Sequence, residues 1–113
     1  MSEDLNIPKG LTPRAHNAAE AIVRLLTELG LTETGGCRAF YSPKEWRERD
    51  EEYGGKADLI VVHDGGSLAP FFNYDYRAYS MVDEMSKRLD QAGAWAEPCT
   101  SWYTAIYTKK GKI

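Results

Sequence analysis

Sulfur and imidazole are scarce in this chain, with two cysteines and two histidines among 113 residues. No C-x-x-C or H-x-x-x-H spacing joins Cys37, Cys99, His16 and His63, so the convergent ligand set of a zinc site is missing. No metal or cofactor is expected. With no export signal in view, the two thiols read as free rather than paired. No run approaches the roughly 18 to 20 apolar residues that cross a bilayer. The opening MSEDLNIPKG carries acids and a proline where a signal peptide needs a basic and then an apolar stretch. A cytoplasmic protein without membrane association is expected. Neither sign of charge dominates: the formal net charge is −3, with 8 cations against 10 acids through Lys56 and 6 against 7 beyond it. Phosphate contacts need a basic excess, so duplex nucleic acid is disfavoured as a partner. P-loop, G-x-G-x-x-G, G-x-S-x-G and H-E-x-x-H signatures are also absent, which makes an enzyme the less expected class.

The chain has room for one domain, expected over residues 12–108 between a flexible arm at 1–11 and a polar tail at 109–113. Leu5, Ile7 and Leu11 are placed to pin the arm to the body. Thr12 as N-cap, Pro13 at the first helical position and Gly30 as terminator bracket an amphipathic helix with Ala15, Ala18, Ala19, Ile22, Leu25, Leu26 and Leu29 on its apolar face. A strand is expected over 37–41. Ser42 and Glu45 then form a capping-box pattern for a short charged helix anchored by Trp46 and stopped at Gly54 and Gly55, its run from Arg47 to Glu52 reading as a solvated face. Residues 57–63 read as a central buried strand. Asp64-Gly65-Gly66-Ser67 is expected to turn it into an antiparallel arm at 68–72, where Pro70 demands an edge or a bulge. A long helix from Asp75 to about Ala92, with Tyr79, Met81, Val82, Met85 and Leu89 on its buried stripe, leads to strands at 94–97 and 102–108. The fold class is therefore α+β: an antiparallel sheet of four to five strands covered by two main helices, a β-α-β-β-α-β-like core with an added N-terminal helix.

Three places could carry function. His63-Asp64-Gly65-Gly66 sets a neutral-range titrating group beside a carboxylate at a strand end, although strand neighbours point to opposite faces and the dipeptide that follows suits a hairpin. Cys99 follows Pro98 in a turn, with nothing to suggest an activated thiol. The third is aromatic placement. Nine of thirteen aromatics lie after Lys56, namely Phe71, Phe72, Tyr74, Tyr76, Tyr79, Trp95, Trp102, Tyr103 and Tyr107, and some must face solvent. By alternation Trp102 and Tyr103 should point opposite ways, which puts an aromatic on an open sheet face.

The segment from Asp58 to Tyr107, with HDGGSLAPFFN, a tyrosine-rich helix and EPCTSWYTAIY, resembles small accessory proteins carried by bacteriophages and mobile elements. The resemblance implies host-directed or regulatory protein binding and assigns no catalytic or ligand residue. The expected function is a small non-catalytic interaction domain that binds a protein partner or itself. His63, Asp64, Tyr74, Tyr76, Trp95, Trp102 and Tyr103 are its candidate binding residues. The alternatives are a small enzyme or ligand-binding domain centred on the His63 turn, and a single-stranded nucleic-acid binder using the aromatic face.

Overall fold

A computed structural model describes residues 5–33, 36 and 38–109. Helix α1 spans Pro13–Leu29 between Thr12, whose side chain accepts from the Ala15 amide, and Gly30 in the left-handed conformation. Strand β1 (Phe40–Tyr41) leads into α2 (Pro43–Arg49) through the complete capping box of Ser42 and Glu45. Strand β2 (Leu59–Val62), the short α3 (Ala69–Phe72), α4 (Tyr79–Gln91), β3 (Ala94–Pro98) and β4 (Tyr103–Thr108) follow. The four strands form one antiparallel sheet in the order β1-β2-β4-β3, and the class is α+β. Central β2 is buried at every position, with Leu59 opposite Ile106 and Val62 opposite Tyr103.

Strand alternation splits the sheet into two chemically different faces. Phe40, Leu59, Val61, Ala94 and Ile106 point to an inner face, where they join Ala15, Ala18, Ala19, Ile22, Leu25 and Leu26 of α1, Phe71 and Phe72 of α3, and Met85 and Leu89 of α4. Leu5 is buried in the same core, and Ile7 and Leu11 pack against it. Ile60, Val62, Tyr103 and Ala105 point to the outer face and meet Trp46 of α2, with Tyr41, Cys99, Trp102 and Tyr107 partly buried around them. Asp58 ties the end of β4 to β2 by accepting from the Thr108 amide at 2.8 Å and from its hydroxyl at 3.1 Å.

Several local expectations are corrected. Residues 68–72 form no hairpin arm; they make α3. Pro70 lacks the amide hydrogen that a ladder requires, but the first turn of a helix leaves that hydrogen without a partner anyway. Gly65 and Gly66, both at positive φ, reverse the chain so that Phe71 and Phe72 enter the inner core. Helix α2 stops before Gly54: Asp50 takes the left-handed conformation (φ 58°), and the Trp46 Nε1–H donates to Tyr53 O at 2.9 Å, which brings the chain back over the sheet. The long helix does not start at Asp75. Residues Tyr74–Tyr76 form a 3-10 turn capped by the Asn73 side chain, and Arg77 at φ 55° separates it from α4. Tyr79, expected on the buried stripe, is 58% exposed, because the stripe begins only at Val82. Leu29 is likewise exposed at the end of α1. The strand expected over 37–41 is shorter, since Arg38 and Ala39 precede β1 without joining it; Cys37 lies outside the described residues, as does the tail beyond Lys109.

Candidate functional site

The His63 turn is built for burial. His63 continues β2 by donating its amide to Trp102 O at 2.8 Å, and its side chain falls on the inner face with Leu59 and Val61. The ring is 1% exposed, stacks on Phe72 with centroids 5.4 Å apart, and sets Nε2 2.9 Å from Thr104 Oγ1. Its Nδ1 has no hydrogen-bond partner among the described residues. Burial outweighs the nearby Asp64 charge and pushes the imidazole down to about 4, so it is neutral at physiological pH. Asp64 is exposed. The two residues are adjacent in sequence and separate in environment. Such a histidine lacks the access that proton transfer to a substrate requires. Cys99 carries a free thiol that burial pushes up, with the Glu97 carboxylate adding to the effect, so it is protonated and weakly nucleophilic. Among the described residues no group of three or more His, Cys, Asp or Glu could hold a metal ion, and no helix is long and apolar enough to cross a membrane.

The other candidates divide between two surfaces. Tyr74 and Tyr76 stand exposed on the 3-10 turn. Tyr74 lines a shallow cleft of about 330 Å³ with Phe72, Pro98, Thr100 and Ser101, held by an Asn73 amide that donates to Ser101 O at 3.2 Å. Trp95, Trp102 and Tyr103 belong to the outer sheet face. Trp95 is 44% exposed and stacks on its cross-strand neighbour Tyr107, with centroids 5.8 Å apart and planes 25° from parallel. Trp102 and Tyr103 do not point opposite ways: their rings meet at 4.4 Å and 66°. Trp102 precedes the first residue of β4, so strand alternation does not govern it, and Thr100 Oγ1 accepts from both amides to shape the turn. Tyr103 is buried, and its hydroxyl accepts from the Tyr53 amide.

The outer face also gathers Trp46, Arg38 and Arg49. Trp46 touches the rings of Tyr41, Trp102 and Tyr103 at 5.3, 6.1 and 4.8 Å. The Arg49 guanidinium lies 5.1, 4.8 and 5.9 Å from the rings of Tyr41, Trp46 and Trp102, and Arg38 lies 4.4 Å from Tyr41. Both arginines are paired, Arg38 with Glu45 at 2.7 Å and Arg49 with Glu51 at 2.9 Å. The available signal was the three-residue spacing of Trp46 and Arg49, which puts them on one helix face. The mixed charge run hid it. Compared with protein-family models, with curated proteins and with solved structures, the chain finds no match.

Proposed function

We propose that this chain is a small non-catalytic protein-interaction domain whose contact surface is the outer sheet face centred on Trp95 and Tyr107. One observation carries the reading: Trp95 keeps 44% of its surface exposed while its ring is held against Tyr107 at the β3 edge of the sheet. A stacked pair has already given up its rotamer freedom, and Trp, Tyr and Arg dominate binding energy where proteins meet. The surroundings favour a partner that presents Lys or Arg. Burial, then the carboxylates of Glu97 and Asp58, push the Tyr107 phenol up, so this apolar seat has an acidic rim. Two copies meeting face to face would oppose these acids, which favours a different protein over a second copy.

The test uses the full chain as immobilised bait, with the double variant Trp95→Ser, Tyr107→Ser and the surface control Leu29→Ser. Proteins retained by the wild type and released by salt should be retained by the control and lost by the double variant. Equal retention by the double variant overturns the assignment of the surface. A concentration-dependent dimer in sedimentation, abolished by the same double variant, makes the partner a second copy.

A further inference from the structure

Trp46 and Trp102 are inclined at 55° to each other and Tyr41 at 61° to Trp46, so the three rings are in contact but tilted rather than stacked. The Arg49 guanidinium stands within 6 Å of all three centroids. Arg49 is the last residue of α2, immediately before the left-handed Asp50, so its side chain hangs from a helix end rather than from a packed turn. It is exposed, and its other partner is the carboxylate of Glu51, which accepts from Nε at 3.2 Å and from Nη2 at 2.9 Å. Glu52 adds a second acid close by, since both Glu51 and Glu52 help raise the buried Tyr103 phenol after burial itself. Three tilted aromatic faces with carboxylates at the rim are the surroundings that attract a large, weakly hydrated cation.

We propose that Tyr41, Trp46 and Trp102 form a cation-binding cage for a quaternary or methylated ammonium, and that Arg49 occupies this cage in the free protein and must swing out to admit the ligand. The site is distinct from the Trp95–Tyr107 surface and does not depend on what docks there. A ligand that displaces Arg49 replaces one cation with another over the same rings and leaves Glu51 facing either.

The probe is choline, with 3,3-dimethylbutan-1-ol as its neutral isostere, titrated into wild type and Arg49→Ala while tryptophan fluorescence and indole N–H resonances are followed. Arg49→Ala should bind choline saturably, and wild type should bind it about tenfold more weakly because its own cation competes. The neutral isostere should bind at least about tenfold more weakly than choline, and adding Trp102→Leu should abolish binding. Arg49→Gln, which keeps most of the stem and loses the charge, replaces Arg49→Ala if that variant does not fold. A folded Arg49 variant without a saturable response to choline overturns the proposal. So does equal binding of the isostere, or wild-type affinity equal to that of the variant. A trimethyllysine peptide that binds more tightly than choline places the ammonium on a partner protein; equal affinity points to a free small molecule.

Discussion

The two faces of the sheet solve the same burial problem with different residues. On the inner face, Ala15, Ala18 and Ala19 let α1 approach the strands closely, and mostly aliphatic side chains from α1, α4 and the sheet, with Phe40, Phe71 and Phe72, fill the remaining space. On the outer face, seven-residue α2 contributes one large anchor, Trp46, which Tyr41 meets edge to face and Trp102 and Tyr103 meet at a tilt. The inner face is closed by helices. The outer face is closed by rings and two arginines, and toward β3 it ends in an exposed tryptophan. A cover made of a few aromatics leaves specific, polarised surface behind, whereas a cover of helices leaves their polar sides.

The comparison predicts first that the outer cluster is as necessary for folding as the inner one. Trp46→Ala should cost about 3–5 kcal/mol in urea unfolding, close to the cost of Phe40→Ala on the inner face, since both side chains are fully buried. A loss below about 1 kcal/mol for Trp46→Ala would make the outer cluster a surface ornament rather than a core.

On the inner face, His63 makes stability depend on pH. The unfolded histidine takes up a proton near 6.5, whereas buried His63 does not until about 4, so between these values the unfolded chain binds more protons. Stability should be fully present above pH 6.5 and decline as pH falls toward 4, by about 3 kcal/mol from this group. His63→Leu should flatten that part of the stability profile; an unchanged slope would assign it to other groups.

A smaller effect probes how tightly the outer cover fits. Gly54 sits at φ 90°, and an added Cβ would lie 2.7 Å from Ile60 Cδ1 and 3.1 Å from Trp46 Nε1. Gly54→Ala should cost about 2 kcal/mol, while Gly55→Ala, with open space around it, should cost clearly less. Equal costs would show that the loop does not press on Trp46. The smallest effect is at the margin: Trp95→Ala should cost about 1 kcal/mol of stability, the worth of its ring pair with Tyr107. A loss as large as that of Trp46 would make Trp95 structural.

The inner face was legible in the sequence because it is written in long periodic elements. The spacing of alanine and leucine from Ala15 to Leu26, the caps at Thr12 and Gly30, and the branched run of β2 all state their burial locally. What was not legible depended on contacts distant in sequence. Pro70 excludes a central strand but does not say that helix replaces it; the burial of Phe71 and Phe72 against α4 decides that. Alternation puts Trp102 and Tyr103 on opposite faces, but the start of β4 is set by a turn at Thr100 that alternation cannot reveal. At the candidate site, exposure of Tyr74, Tyr76 and Trp95 agrees with an excess of rings over interior space, while His63 and Tyr103 are drawn into the core. In the sequence Arg49 belongs to a mixed charge run, and only the fold shows that its neighbours are rings.

The claim that the outer face serves binding is tested most directly by photo-crosslinking in cells, with benzoylphenylalanine placed at position 95 on the outer face or at position 29 on α1. Both positions are exposed, and neither replacement removes a buried side chain. A discrete protein adduct from position 95 and none from position 29 is the predicted result. No adduct from 95, or the same diffuse set from both positions, would contradict it.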